Sequence, residues 1–407
     1  MKILFKNIRT VDAQKDVKTS VLAGKNGKIE ALGDYKELNI DKDTEIIDGG
    51  NYVLMPSFAD LHAHFREPGY EYKEDLNSGS HAAVRGGYTF VNLMANTKPV
   101  CSSMETVDYV LDKIKKIGLI NAHQCVSVTK NFDGENLSHL KDIDSEKVRF
   151  ISDDGRGVVN NLTSYKSMLI AKEKDFVIMT HAEDMELTPI DYRISENIIT
   201  FRDLYLCAAT GARLHLSHVS TKEALSAIRL AKRNGVNVTC EVTPHHIALY
   251  DMDFKVNPPI RTKEDVLAVT QALQDGTADC ISTDHAPHSK EDKQNGSPGL
   301  PGLETAFAVC YTELVRGRKL SLSRLSELMS LNPYKIIGKR AGKRGLVLPG
   351  YEADLVLAGI ETPYIIHGED FAGKGRITPF ENKKVYGKIL MTFKNGKAVY
   401  IDNRQAL

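Results

Sequence analysis

Cysteine is scarce in this 407-residue sequence, and none of its six cysteines belongs to a Cys-x-x-Cys pair. Several of them lie inside apolar runs, where a reduced thiol behaves as a small hydrophobic side chain. We therefore interpret the cysteines as reduced core residues of a cytoplasmic protein. They are Cys101, Cys125, Cys207, Cys240, Cys280 and Cys310.

An excess of charge of either sign is also missing, because 53 Lys and Arg residues balance 53 Asp and Glu residues. No large overall field therefore favours nucleic acid or an anionic membrane surface as a partner. No window approaches the roughly 20 apolar residues of a membrane span, and the first residues lack the apolar run of a signal peptide. We expect a cytoplasmic protein that acts on a small molecule, without a nucleic-acid or membrane partner.

Short apolar runs alternate with longer amphipathic stretches between residues 52 and 344. The first run leads to His62, and seven more follow, at residues 89–94, 121–128, 148–152, 176–180, 213–217, 238–242 and 280–283. Helices are predicted at 106–117, 162–174, 221–234, 264–274 and 303–316. Eight strands separated by helices predict an α/β fold of the (β/α)₈ TIM-like barrel type. A doubly wound open sheet is the alternative, but its Gly-x-Gly-x-x-Gly loop is missing after the first strand.

The two ends of the chain carry the same turn signal. Asn26-Gly27 and Asn395-Gly396 each separate two short stretches of strand character, and Asn-Gly is a strong hairpin signal. The simplest architecture pairs both ends into one small β-sandwich domain. The predicted division is 1–51 and 345–407 for the two parts of that domain, and 52–344 for the barrel.

Two histidines and an arginine follow the first predicted barrel strand. Side chains of a strand alternate between its faces, so His62 and His64 point the same way, and Arg66 joins them if the extended geometry persists. Neutral imidazoles are natural zinc ligands, and a guanidinium grips a carboxylate through two hydrogen bonds. Histidine pairs at this spacing also occur by chance on ordinary strands, so other ligands are needed.

Further histidines and aspartates fall at the ends of later predicted strands. Asp154 follows the fourth, His181 the fifth, His218 the sixth and Asp284 the eighth. In a barrel of this kind these ends meet at one face, where chemistry takes place. Nitrogen and oxygen ligands without thiolate suit a catalytic Zn²⁺, or Mn²⁺ or Co²⁺, and a neighbouring carboxylate can move protons. Metal-assisted hydrolysis is the predicted chemistry, and no serine nucleophile elbow competes with it.

These motifs resemble the dihydroorotases of pyrimidine biosynthesis, of the long-chain bacterial type, within the amidohydrolase superfamily. The resemblance covers nearly the whole chain and implies the reversible cyclisation of N-carbamoyl-L-aspartate to (S)-dihydroorotate plus water, the third step of de novo UMP biosynthesis. A homo-oligomer, in the simplest case a dimer, is expected, and association with aspartate transcarbamoylase is left open. The resemblance rests on residues 60–69, 94–99, 152–155, 181–184, 216–220, 241–246, 256–261, 283–288 and 349–355.

The resemblance also implies a role for each site residue. One or two zinc ions are expected, in the fuller case two ions bridged by Asp154, and Asp284 is also the general base and acid. The implied metal ligands are His62, His64, Asp154, His181, His218 and Asp284. The implied contacts to the substrate come from Arg66, Asn96, Asn257, His288 and the backbone of Pro298 and Gly299.

Three alternatives stay open at this point. Allantoinases and hydantoinases share the barrel and the metals, and Arg66 beside the paired histidines favours a carboxylate-bearing substrate over theirs. A non-catalytic scaffold is a third possibility, although such chains typically lose metal ligands. His245 and His246 are expected to support the site without binding metal, and Asp153 to orient Asp154. The loop after the fifth strand is expected to be shorter than in relatives.

Overall fold

A computed structural model describes residues 1–402 of the chain. The architecture is α/β, with a mixed sheet built from both chain ends and two parallel sheets whose strands alternate with helices. The strands are β1 (Ile3–Asp12), β2 (Lys15–Ala23), β3 (Ile29–Gly33), β4 (Glu45–Asp48), β5 (Val53–Pro56), β6 (Phe58–Ala63), β7 (Tyr88–Leu93), β8 (Asn121–Gln124), β9 (Phe150–Ile151), β10 (Val177–Thr180), β11 (Arg213–Leu216), β12 (Val238–Val242), β13 (Cys280–Ile281), β14 (Leu355–Gly359), β15 (Tyr364–Ile365), β16 (Lys384–Val385), β17 (Lys388–Lys394) and β18 (Lys397–Ile401).

The mixed sheet joins the two ends of the chain, as the matching turns predicted. Its strand order is β18-β17-β14-β5-β1-β2-β3, with β4 parallel to β1, so β14 and β5 form the junction. Phe5 from one end and Phe393 from the other meet edge to face, with ring centroids 5.0 Å apart. Such an aromatic pair adds to the apolar area that the sheet removes from water.

The two Asn-Gly turns differ in length. Asn395 and Gly396 both have positive φ, 50° and 68°, and alone connect β17 to β18. The first turn is longer, because β2 ends at Ala23 and β3 begins at Ile29. Gly27, with φ of 79°, supplies the left-handed position there, and its amide donates to the carbonyl of Gly24. Both hairpins are confirmed, but the two-residue geometry holds for the second.

The parallel strands follow one another in chain order. One sheet contains β6, β7 and β8, and the other contains β9 to β13. Isolated parallel bridges link the two sheets on both sides, from Val126 to Ile151 and from Ala63 to His285. All eight predicted strands are therefore present. Because they run in parallel, their carboxyl ends, and the polar residues that follow them, lie on one side of the molecule.

Helices connect these strands, and each predicted helix is present. Two helices were not predicted, α1 and α4. Helices α9 and α10 continue without a break as π-helical turns, at Tyr311–Arg316 and Glu327–Leu331. The helices are α1 (Leu76–Arg85), α2 (Met104–Ile117), α3 (Asn161–Glu173), α4 (Tyr192–Thr210), α5 (Lys222–Arg233), α6 (Pro244–Ala248), α7 (Lys263–Asp275), α8 (Lys290–Gln294), α9 (Ala306–Cys310), α10 (Leu322–Ser326) and α11 (Asn332–Ile337).

Within residues 1–402, no helix combines the length and the apolar character that a membrane crossing requires.

Candidate metal centre

Six polar side chains converge where the parallel strands end. His62 lies within β6 and His64 directly beyond it, while the other four follow the ends of later strands. All six are buried, with exposed fractions of 6% or less. His218 and Asp284 have φ of 36° and 47°, a left-handed conformation that is unusual for residues other than glycine. The backbone therefore holds an unfavourable conformation at two positions of the cluster, as is common at functional sites. The six residues are His62, His64, Asp154, His181, His218 and Asp284.

Asp154 is at the centre of the cluster. Its Oδ1 lies 3.1 Å from His62 Nε2, 3.4 Å from His181 Nδ1 and 3.6 Å from His218 Nε2. Its Oδ2 lies 3.4 Å from His64 Nε2. One carboxylate thus faces all four imidazoles.

Asp284 lies on one side of that carboxylate. Its Oδ1 is 3.2 Å from His64 Nε2 and 3.7 Å from His62 Nε2. On the other side, His181 Nδ1 and His218 Nε2 are 2.8 Å apart. The cluster therefore has two halves, a His62, His64 and Asp284 half and a His181 and His218 half, which meet at Asp154.

The electrostatics of the cluster favour ionised carboxylates. Burial opposes the charge on Asp154, but the neighbouring imidazoles, with His62 foremost, hold the pKa of this carboxyl well below its usual range. Burial opposes the charge on Asp284 too, and the imidazole of His64 outweighs it, so this pKa is also lowered. Without a cation, burial lowers the pKa of His181 less than the carboxylates raise it, to about 10. Two buried carboxylates are thus available to bind a cation or to accept a proton.

The cluster fits a divalent metal ion. His62 Nε2 and Asp154 Oδ1 are both buried without a hydrogen-bond partner among the described residues, although they face each other. Leaving such atoms unpaired costs about 1–3 kcal/mol each, and a bound cation removes that cost. The possible ligand atoms of His62, His64 and Asp284 lie within 4.8 Å of one another, and so do those of His62, Asp154 and His218. Imidazole and carboxylate ligands with no thiolate are typical of catalytic zinc.

Two glutamates hold the outer nitrogens of the histidines. His62 Nδ1 donates to Glu241 Oε1 at 2.7 Å, and His181 Nε2 donates to Glu183 Oε2 at 2.7 Å. The second oxygen of Glu241 accepts from His215 Nε2 at 3.1 Å. A carboxylate on one ring nitrogen fixes the tautomer, so the other nitrogen is free to bind metal.

A cavity of about 210 Å³ opens above the cluster. Arg66 contributes its guanidinium, and Arg66 Nη2 lies 3.3 Å from His288 Nε2. Asn96 Oδ1 accepts from His64 Nδ1 at 2.8 Å, and Asn257 Nδ2 donates to Glu183 Oε2 at 2.9 Å. The residues around the cavity are His64, Arg66, Asn96, Asp154, Gly155, His181, His218, Asn257, Asp284, Ala286, His288, Ser297, Pro298 and Gly299.

Comparison with known proteins gives the chain its family. A model of the amidohydrolase family matches residues 53–399. A dihydroorotase of Clostridium botulinum (strain Eklund 17B / Type B) is 51% identical over 403 residues, covering 98% of this chain and 100% of that protein. A dihydroorotase of Lactobacillus johnsonii is 39% identical over 402 residues, covering 92% of this chain and 93% of that protein. The chain belongs to the amidohydrolase family. Within that family its full-length similarity groups it with the dihydroorotases.

Solved structures show that this amidohydrolase shares its fold with other cyclic-amide enzymes. The dihydropyrimidinase of Brevibacillus agri NCHU1002 superposes with a TM-score of 0.87 at 23% identity, covering 100% of this chain and 96% of that one. The L-hydantoinase of Arthrobacter aurescens also gives 0.87 at 23% identity, covering 97% and 95%. At this level of identity the likeness concerns the fold.

The amidohydrolase cluster contains every residue that the sequence singled out. The six expected metal ligands lie together, and the six expected substrate contacts line the cavity above them. Arg66 arrives there by a different route from the one expected, because β6 ends at Ala63 and Arg66 has φ of 62°. The extended alternation therefore stops before Arg66, and a turn directs it to the cavity. Gly299, with φ of 134°, packs so closely that a Cβ there would lie 2.4 Å from the Ala286 carbonyl oxygen.

The neighbouring polar residues have other partners. Asp153 accepts from the Thr129 amide at 3.0 Å, so it anchors a loop and does not orient Asp154 directly. His246 Nδ1 lies 2.8 Å from Thr243 Oγ1, while His245 is buried with both ring nitrogens unpaired among the described residues. Both histidines belong to α6 and do not end strand β12. Sequence reasoning missed the roles of Glu183 and Glu241, although a glutamate in the buried run Val238–Val242 was a signal.

Proposed function

We propose that this protein is a dihydroorotase, which catalyses the reversible cyclisation of N-carbamoyl-L-aspartate to (S)-dihydroorotate plus water in de novo pyrimidine biosynthesis. The observation that carries the proposal is the 51% identity to a dihydroorotase over nearly the full length of both chains. The complete cluster of histidines and aspartates beneath a cavity with an arginine supports it.

Zinc is the proposed cofactor, as one ion or as two that share Asp154. His62, His64 and Asp284 would hold one ion, and His181 and His218 the other. When bound, zinc supplies Lewis acidity that polarises an amide carbonyl and lowers the pKa of water to about 7. The unpaired His62 Nε2 and Asp154 Oδ1 support this assignment.

Asp284 is the proposed proton carrier. Its low pKa leaves the carboxylate able to accept a proton from water in the hydrolytic direction. The same group returns the proton to the ring nitrogen as the C–N bond of the cyclic amide breaks. In the cyclisation direction it takes that proton from the attacking nitrogen, so the proton balance closes in both directions.

Arg66 is the proposed anchor for the carboxylate of dihydroorotate. Burial lowers the pKa of Arg66 without removing its charge at neutral pH, and its Nε has no partner among the described residues. A carboxylate would supply that partner. Asn96, Asn257, His288 and the backbone of Pro298 and Gly299 complete the proposed contacts with the ring and the carboxylate.

An assay of three substrates tests the proposal. Turnover of dihydroorotate, allantoin and hydantoin is measured by ultraviolet absorbance, and dihydroorotate is expected to be preferred by at least about 10³-fold, since a charged anchor discriminates by several kcal/mol. The hydantoinase alternative is favoured by the fold of the solved neighbours and would be supported by equal turnover of hydantoin. A protein that binds no zinc and turns over none of the three would be a scaffold.

An arginine substitution tests the anchor separately. Arg66→Ala is expected to raise the KM for dihydroorotate by about 100-fold, the loss of a charge-assisted hydrogen-bond pair, with zinc content unchanged. Arg66→Lys keeps the charge but not the planar fork and is expected to recover part of that loss. A normal KM in Arg66→Ala would remove Arg66 from the substrate site.

The architecture is proposed in finer detail too. The eight parallel strands close into a (β/α)₈ barrel over residues 52–344, and residues 1–51 and 345–407 form the small β-sandwich domain. The links Val126–Ile151 and Ala63–His285 support closure, and the junction of β14 with β5 supports the second domain. The protein is proposed to act in the cytoplasm as a homodimer, and association with aspartate transcarbamoylase is a separate question for a binding assay.

A further inference from the structure

Helix α4 presents an apolar stripe to solvent. Ile194, Ile198, Phe201 and Tyr205 follow one another at spacings of four, three and four residues, and their exposed fractions are 48%, 47%, 54% and 75%. The outward face of a helix in a globular protein is normally polar. The stripe therefore indicates a surface that another molecule covers.

Helix α3 extends the stripe into a broader surface. Leu162, Tyr165 and Leu169, at spacings of three and four residues, are 59%, 41% and 42% exposed. The two helices are neighbours, and Arg202 Nη1 of α4 donates at 2.9 Å to the carbonyl of Val159, just before α3. We name the seven side chains the α3–α4 surface: Leu162, Tyr165, Leu169, Ile194, Ile198, Phe201 and Tyr205.

The inner face of α4 fixes the stripe in its outward direction. Ser195 Oγ donates to the Asp184 carbonyl at 3.0 Å, and Glu196 accepts from the Ser220 amide at 2.8 Å. Asp203 accepts from Thr180 Oγ1 at 2.9 Å. These buried polar contacts would all break if the helix rotated to hide its apolar side. The stripe is a lasting feature of the folded chain.

We propose that a second copy of this chain docks on the α3–α4 surface, with α4 packed antiparallel against α4 of the partner across a two-fold axis. Alternating spacings of three and four apolar residues are the pattern by which helices pack side by side in bundles and coiled coils. A two-fold axis brings the same patch of both subunits together, so an apolar stripe is complementary to itself. This deepens the proposed homodimer by naming its surface.

The size and charge of the surface suit this occupant. The seven side chains expose together roughly 800 Å², which is what each partner buries in an interface of standard size. The balance of 53 basic and 53 acidic residues means that two copies do not repel each other strongly. A patch of aromatic and aliphatic residues without charge is also typical of homodimer interfaces.

Sedimentation velocity and light scattering of the full-length protein, over roughly 1–100 μM, test the proposal. The wild type is expected to be a dimer. The double substitution Ile198→Glu and Phe201→Glu places four carboxylates at the two-fold contact and is expected to weaken the dimer at least 100-fold, giving a monomer at 10 μM. Leu230→Glu on α5, where the leucine is 60% exposed, is the matched control and is expected to remain a dimer.

Each outcome decides a different point. Because the substituted side chains are exposed, an unchanged thermal melt and zinc content show that the variant is folded. A dimer that survives the double substitution overturns the α3–α4 surface but not the dimer. A monomeric wild type overturns both, and association with a different protein alone does so too. Loss of dihydroorotate turnover in a wild-type dimer concerns the proposed activity and leaves the surface intact.

Discussion

Two histidines of the cluster are held in the same way on opposite sides of Asp154. His62 turns Nε2 to Asp154 and is held by Glu241 through Nδ1, and His181 turns Nδ1 to Asp154 and is held by Glu183 through Nε2. Both glutamate contacts measure 2.7 Å. The chain therefore builds one arrangement twice, with the ring reversed, from side chains in different parts of the fold.

The surroundings of the two glutamates differ. Glu241 lies in β12 with no exposed surface, and its other oxygen contacts His215 at the centre of the molecule. Glu183 lies in the loop after β10, and its carboxylate also contacts Asn257 and Thr188 near the cavity. The His62 half is consequently fixed when the core folds, while the His181 half depends on loops that a substrate touches. Core histidines and loop histidines of one metal site therefore have different sensitivities to mutation.

Removing the shared carboxylate is expected to have the largest effect. Asp154→Asn leaves both halves without their common anion, and loss of most bound zinc is expected together with a fall in dihydroorotate turnover of about 10³-fold, since metal activation contributes several kcal/mol. Zinc content and kcat are measured on the same preparation. Asp153→Asn, one residue away and bonded to Thr129, is the control and should keep its zinc. A full zinc complement in Asp154→Asn would contradict the central role of Asp154.

Glu241→Gln breaks the core half of the comparison. The Glu241 carboxylate accepts from two imidazoles, whereas a glutamine side chain has one acceptor oxygen, so one contact becomes a clash of donors unless a tautomer changes. Zinc affinity is expected to fall about 10–100-fold. Stability is expected to fall by about 1–3 kcal/mol, because the mispaired groups are buried. Chelator competition and thermal denaturation measure the two quantities, and an unchanged melt would show that the core contact is dispensable.

Glu183→Gln breaks the loop half and is expected to act mainly on the substrate. Asn257 loses a charged acceptor, so the KM for dihydroorotate should rise about 5–10-fold, the value of one hydrogen bond to a charged group. The melting temperature should change less than in Glu241→Gln, because the loop is partly exposed. The ratio of the two effects in the two variants is the measurement. Equal effects on KM and stability in both variants would erase the distinction between the halves.

Much of the site was predictable, for a physical reason. Parallel strands place all their carboxyl ends on one side, so a histidine or aspartate just past a strand end is directed to a common region wherever it lies in the chain. His62, His181, His218 and Asp284 could be grouped by that rule without knowledge of any contact. The roles given to them remain predictions, since their grouping does not identify the ion or the reaction.

The features that were missed depend on neighbours that sequence patterns do not reveal. Helix α4 has Glu196 and Asp203 on its inner face and Ile198 and Phe201 outside, which reverses the usual amphipathic pattern. The partnership of Glu241 with His62 joins residues 179 positions apart, and it depends on which side of β12 faces β6 across the interior. Arg66 reaches the cavity through a left-handed turn that the extended pattern did not predict.

The smallest expected effect sharpens the loop half through Lys293. Its ammonium donates to the carbonyls of Lys255 and Ser297, both at 3.0 Å, and of Gly299 at 2.8 Å. It thus connects the loop that carries Asn257 with the loop that carries Gly299. Burial lowers the pKa of Lys293 to about 8. Above that pH the amine loses its charge and one donor, so the KM for dihydroorotate is expected to rise about threefold between pH 7.5 and 9.

The sign of the accompanying stability change is opposite and gives a second readout. A lowered lysine pKa means that the unfolded chain binds more protons than the folded chain above pH 8, so this group makes folding more favourable as the pH rises toward 10.5. Lys293→Met is expected to have a raised KM at pH 7.5 and no further step by pH 9. Lys290→Met, at an exposed position of the same helix, should reproduce the wild-type profile. A wild-type KM that stays flat to pH 9 would show that this contact does not hold the two loops for substrate binding.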